Sequence, residues 1–159
     1  MFQVGDRVVY PMHGAGIIEA IEEREVLGAR QTYYVMRLPL GDLQVMIPTE
    51  AASSAGLRQV VSPEALQQVF DILRSHRAKV QANWNRRYRT HLEKMRSGDI
   101  LEVAEVVKNL TDREREKGLS GGERKMLESA RQILLSEIIL ALGLAPEEAM
   151  DLVDSALAM

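Results

Sequence analysis

The hydrophobic period changes once along this chain, near residue 56, and that change sets the architecture open to it. Before it, apolar residues come in short runs cut by glycine and proline. Arg7-Val8-Val9-Tyr10 stops at Pro11, and Ile17 to Glu22 follows Gly14 and Gly16 and ends in two-residue alternation. Gln31 to Leu38 is rich in β-branched and aromatic residues and is closed by Pro39 and Gly41-Asp42. Leu43 to Ile47 alternates again until Pro48. Four or five short strands at about ten-residue spacing predict a small, strongly bent antiparallel barrel.

From Ser62 the spacing becomes helical. Ser62-Pro63 is a cap followed by proline at the first helical position, with Leu66, Val69, Phe70 and Leu73 behind it. Asn83 predicts the start of a helix running to Ser97-Gly98. Asp99-x-x-Glu102 and Ser120-x-x-Glu123 read as capping boxes for two more. The first has Leu101, Ala104, Val107 and Leu110 as its inner face; the second has Met126, Ala130, Ile133, Leu134 and Ile138, and Gly143 stops it. Pro146 opens a last helix through Leu152 and Leu157. The expected class is therefore α+β: a β domain over residues 1–56 and an all-α domain over residues 57–159. A linker is expected from Ala51 to Val61.

Charge divides the chain further. Residues 1–56 carry four arginines against seven acids, and the whole chain is at −3. Between Arg74 and Arg96, however, eight basic residues (Arg74, Arg77, Lys79, Arg86, Arg87, Arg89, Lys94, Arg96) face the single acid Glu93, a local charge of +7. The only tryptophan, Trp84, lies inside this stretch. A flat apolar ring beside guanidinium groups suits phosphate contact together with stacking on, or wedging between, bases. On a helix Trp84, Tyr88, Leu92 and Met95 share one face. One reading makes all four core and the arginines a solvated opposite face. The other places Leu92 and Met95 in the core, Tyr88 at its boundary and Trp84 largely exposed at the helix start. A helix N-terminus there also favours a phosphate.

Other chemistry finds little support. There is no cysteine, which excludes disulfides and thiolate sites and fits a cytoplasmic protein. No basic n-region precedes an apolar stretch at the N-terminus, and the apolar run Ile133 to Leu144 is too short and too broken to span a bilayer. His13, His76 and His91 are widely spaced and read as surface histidines, so no metal or other cofactor is expected. Leu119-Ser120-Gly121-Gly122-Glu123 resembles the signature loop of ABC-transporter ATPases, but no phosphate-binding G-x-x-x-x-G-K-[ST] accompanies it. It reads as a glycine turn into a capped helix, with Arg124 and Lys125 within reach of a phosphate. No nucleophile elbow or isolated carboxylate pair marks an enzyme.

Val4-Gly5-Asp6-Arg7-Val8-Val9-Tyr10-Pro11-x-His13-Gly14 resembles the opening of the CarD/CdnL family of bacterial transcription regulators. Asn83-Trp84-x-Arg86-Arg87-Tyr88 and Gly118-Leu119-Ser120-x-Gly122-Glu123 match two further family stretches, in the same order. The resemblance implies a Tudor-like barrel that binds the β-subunit lobe of RNA polymerase and a helical domain that touches promoter DNA at the upstream edge of the bubble. It places a minor-groove wedge on Trp84 and DNA contacts on Arg86, Arg87, Tyr88, Arg89, Arg124 and Lys125. The polymerase contact falls on Arg24, Val26 and Met46; family members often carry an arginine at the position of Met46. A monomer is expected. The competing expectation is a protein-interaction adaptor with Trp84 in its core and no DNA role.

Overall fold

The computed structural model describes residues 1–75 and 83–159, so Arg77, Lys79 and His76 lie outside the described residues. Strands β1 (Arg7–Tyr10), β2 (Gly14–Val26), β3 (Ala29–Leu38), β4 (Leu43–Pro48) and β5 (Arg58–Gln59) form one antiparallel sheet in the order β4-β3-β2-β1-β5. A one-turn helix, α1 (Thr49–Ala52), precedes β5. The β2–β3 hairpin turns on Leu27 and Gly28, whose φ values of 53° and 80° are those of a two-residue turn matched to strand twist. A register shift between Ile18 and Ala20 leaves Glu19 as an extra residue and bends β2.

One face of the sheet closes over Val8, Ile18, Tyr34, Met36, Leu38, Ile47, Ala52 and Leu57. The other face sets Val9 and Ala15 against Leu140 of the helical half. A sheet covered on both faces there explains why Val8 and Val9 are adjacent apolar residues, without alternation. The expected linker from Ala51 to Val61 is different in the structure. It holds α1, the core residue Leu57 and the strand β5, which pairs Arg58 with Val9 and Gln59 with Val8. Two residues are too few to show a period, so this strand had no signature of its own.

A 3-10 turn (Pro63–Ala65) leads into helices α2 (Leu66–Arg74), α3 (Trp84–Arg96), α4 (Ile100–Glu116), α5 (Gly121–Leu142) and α6 (Pro146–Leu157). Their shared core includes Leu66, Val69, Leu73, Val103, Val107, Leu110, Leu134, Ile138 and Val153. Each such aliphatic side chain contributes about 1.5–3 kcal/mol by leaving water. Asn83, Asp99 and Ser120 cap α3, α4 and α5 through their side chains. The second half of the expected box at α5 is replaced: the Glu123 carboxylate turns inward to Arg87. Gly143 ends α5 in the left-handed region at φ 68°.

Helix α5 lies against the second face of the sheet, and polar groups stitch the seam. The Ala15 N–H donates to Ser136 Oγ at 2.8 Å, and Arg7 donates to the Leu140 carbonyl. The helix comes so near that a Cβ on Gly14, which has φ 115°, would stand 2.9 Å from Ser136 Oγ. Among the described residues no helix is long and apolar enough to cross a membrane.

Candidate nucleic-acid interface

Helix α3 starts where Asn83 accepts the Arg86 N–H, which puts Trp84 in the first turn. Trp84 is 43% exposed, so it does not belong to the core. Its mounting is nevertheless specific. The indole Nε1–H donates to Ser120 Oγ at 3.0 Å, and the ring stacks on Tyr88 with centroids 5.1 Å apart and planes 10° apart. A methyl at Gly122 would meet Tyr88 Cε2 at 3.7 Å and Trp84 Cζ2 at 3.8 Å, so both rings border the first turn of α5.

The buried side of α3 is not the stripe expected from spacing. Arg87, His91 and Met95 form it, while Tyr88 and Leu92 are only partly buried and flank it. Arg87 is 2% exposed and its guanidinium clasps Glu123, itself 1% exposed, through Nε at 2.7 Å and Nη2 at 3.2 Å. Any DNA contact by Arg87, as expected from the sequence, would have to compete with this clasp, which fixes α3 to α5. His91 is likewise buried, with Nε2 3.1 Å from Asn109 Nδ2, and is not a surface histidine. The local +7 overstates the surface charge for the same reason. Arg74 pairs with Asp71, Arg87 with Glu123 and Lys94 with Glu105.

Around Trp84 the cations left for a ligand are Arg86 and Arg89, both exposed and without an ion pair among the described residues. Lys125 is exposed on the first turns of α5, and Arg124 beside it reaches Glu114 at 3.7 Å. A groove of about 200 Å³ continues from Tyr88 along Leu92, Met95, Met126, Lys125 and Met12. The result is an aromatic plate on a rigid backing, edged by cations and apolar side chains. Among the described residues no group of histidines and acids is placed to hold a metal ion.

Burial pushes the Glu123 carboxyl up, but the Arg87 hydrogen bonds and charge, aided by Ser120 and Arg113, hold it below its ordinary value of 4.5. A depressed carboxylate contributes stability that is present above pH 4.5 and is lost as the pH falls through the lowered value. Acid titration followed by tryptophan fluorescence, which reports Trp84 alone, should therefore show the mount loosening below pH 4.5. Glu123→Gln should lack that acid transition whatever its own starting stability.

The three residues expected to meet polymerase share one face of the sheet. Arg24 and Val26 are two apart on β2, opposite Gln31 and Ala29, and Met46 stands opposite Val35, the partner of Ala20. Arg24 pairs with Glu22 at the surface, Val26 is 48% exposed and Met46 is half-buried. Strand β4 is a sheet edge, and its pairing with β3 ends at Tyr33–Pro48, so the β2–β3 hairpin projects beyond it. Residues that spacing did not single out are Ser120 and Glu123 as supports for α3. Their only signal was the cap-Gly-Gly-Glu run, which as a sequence says helix start and nothing about a partner helix.

Comparison with known proteins gives two family matches. The CarD C-terminal domain model matches residues 68–154, and the CarD-like/TRCF RID domain model matches residues 2–61. YdeB of Bacillus subtilis (strain 168), a protein whose name assigns it provisionally to the transcription factors, is 42% identical over 148 residues, 93% of this chain and 97% of its own length. The solution NMR structure of the 72-residue N-terminal domain of Myxococcus xanthus CarD is 37% identical, covers 37% of this chain and 79% of that one, and has a TM-score of 0.33. The structure of CdnLNt from the same organism is 42% identical, with 39% and 87% coverage and a TM-score of 0.34.

Proposed function

Because the chain belongs to the CarD/CdnL family of transcription regulators, we propose that it binds RNA polymerase through its sheet and promoter DNA through the α3–α5 surface. The sheet, residues 1–56 with β5 added, is the polymerase-binding part, and the helices are the DNA-contacting part. The partner of the sheet is the β-subunit lobe, met on the face of Arg24, Val26 and Met46 and along the free β4 edge. Backbone pairing at such an edge gives affinity with few demands on side chains. That fits a half in which residues 1–56 carry a net charge of −3, a poor match for DNA.

The observation that carries the DNA role is Trp84, 43% exposed yet pinned by Ser120 and backed by Tyr88. That exposure favours this reading over an adaptor with Trp84 in its core. The indole enters the minor groove at the upstream edge of the melting promoter, and Arg86, Arg89 and Lys125, with Arg124, meet the flanking phosphates. Unstacking a base step costs a few kcal/mol, and a wedge that binds the unstacked step lowers that cost. The shift toward the open complex equals the difference in affinity for open and closed forms. Few cations suffice because the sheet delivers them at high effective concentration.

The test is the salt dependence of binding to a promoter fragment, with and without polymerase. Each phosphate contact removed by Arg86→Gln or Arg89→Gln lowers the slope of log affinity against log salt by about 0.9. Val26→Asp should instead remove the gain that polymerase confers and leave the slope for DNA alone unchanged. If neither arginine variant altered the slope, the α3–α5 surface would not be the DNA contact.

A further inference from the structure

Arg58 of β5 reaches three parts of the fold at once. Its Nη1 and Nη2 each donate to the Glu137 carboxylate of α5 at 2.7 Å. Its Nε donates to the Gly98 carbonyl, at the turn joining α3 to α4, at 2.8 Å. Nη1 also bonds the Gln59 carbonyl of its own strand at 3.0 Å. Glu137 is buried, with a side chain only 2% exposed, and takes a further hydrogen bond from the Val61 N–H at 2.9 Å. Beside the clasp lies a cavity of about 320 Å³, lined by Arg58, Gln59, Val61, Ser97, Gly98 and residues of the α4 start. Pro11 packs over Gly98 on this side of the joint, and the guanidinium is what ties Gly98 and Glu137 together by hydrogen bonds.

We infer that Arg58 is a positioning residue, which locks the sheet to the helical body carrying Trp84 and so sets where the indole stands once the sheet is docked. The inference rests on the proposed function above for its transcriptional consequence, though not for its geometry. Helices α3 and α5 are already fixed to each other by Arg87 and Glu123. Arg58 grips that body at both members, through Glu137 and through Gly98. From Gly98 to Trp84 the 13 residues of α3 make a lever of about 20 Å. A tilt of about 10° at the joint thus moves the indole by about 3 Å. A wedge that must enter one base step does not tolerate such a shift. The other polar ties of the seam, from Ala15 to Ser136 and from Arg7 to Leu140, reach α5 alone.

The absence of native cysteine allows a direct measurement. Spin labels on Gln31→Cys in the sheet and Glu128→Cys on α5 report the angle between the halves in the full chain. The parent should give one narrow distance distribution. Arg58→Ala should broaden it, and Arg58→Lys, which keeps the charge but cannot serve both acceptors, should fall between. Because Arg58→Ala strands the Glu137 charge, the pair Arg58→Met with Glu137→Gln provides a folded alternative without a buried ion. Without the added cysteines, the Arg58 and Glu137 variants should bind polymerase like the parent and shorten open-complex lifetime by about two- to thirtyfold. An unchanged distance distribution overturns the inference. So does a broadened one with a parental lifetime in an assay where Trp84→Ala is defective. If Trp84→Ala is itself parental, the proposed function fails, and the distances alone decide whether Arg58 sets the angle.

Discussion

Replacing Trp84 with alanine will shorten the lifetime of open promoter complexes by about 5- to 150-fold, the range given by 1–3 kcal/mol of base stacking. Polymerase binding will survive, since Trp84 makes its contacts with Ser120 and Tyr88 and none with Arg24, Val26 or Met46. The protein will also remain folded. Trp84 is 43% exposed, and the variant loses one hydrogen bond to Ser120 and one stacking contact with Tyr88. Together these amount to about 1–3 kcal/mol, less than the 3–5 kcal/mol lost when a core aromatic is truncated. Trp84→Phe separates the parts of the effect: it keeps a flat ring on Tyr88 but removes the indole N–H. A parental lifetime in Trp84→Ala would end the wedge reading. Loss of stability without loss of lifetime would favour an adaptor.

Arg87→Ala will cost about 3–5 kcal/mol of stability, because it leaves the buried Glu123 carboxylate without its counter-ion. Denaturation with urea and thermal melting both measure this. The loss will not resemble that of a DNA-contacting arginine, because no phosphate contact disappears and the salt slope should stay that of the parent. Its effect on promoters comes through geometry: Glu123 opens α5 beside Ser120, and Ser120 holds the indole. Exchanging both ions together, as Arg87→Met with Glu123→Leu, should be near neutral in stability. A salt slope lowered by about 0.9 in Arg87→Ala would show that the side chain leaves its clasp to meet DNA.

The two adjacent arginines show where sequence reasoning stops. Arg86 and Arg87 are identical in composition and neighbours in a basic run, yet one is at the surface and the other 2% exposed. Which of them turns inward depends on where Glu123 lies, 36 residues away. Period and caps are local properties, and they were legible: Asn83, Asp99, Ser120 and Gly143 act where their spacing placed them. The half-exposed Trp84 was legible too, because a residue in the first turn of a helix is covered on fewer sides. The burial of Arg87 and His91 was not, since isolated polar residues read as surface until a partner is known. Strand β5 escaped because its two residues owe their conformation to β1.

The seam between α5 and the sheet also has a consequence in time. The Ala15 N–H finds Ser136 across 121 residues of chain, and Arg7 finds Leu140 across 133. At ribosomal speeds of about 5–20 residues per second, the sheet emerges several seconds before the helix that covers its second face. Through that interval Val9 and Ala15 lie bare and the Arg58 guanidinium has no carboxylate to grip. The angle between the two halves is thus set only after α5 has emerged. A newly made molecule can present its β4 edge before its indole has a fixed address.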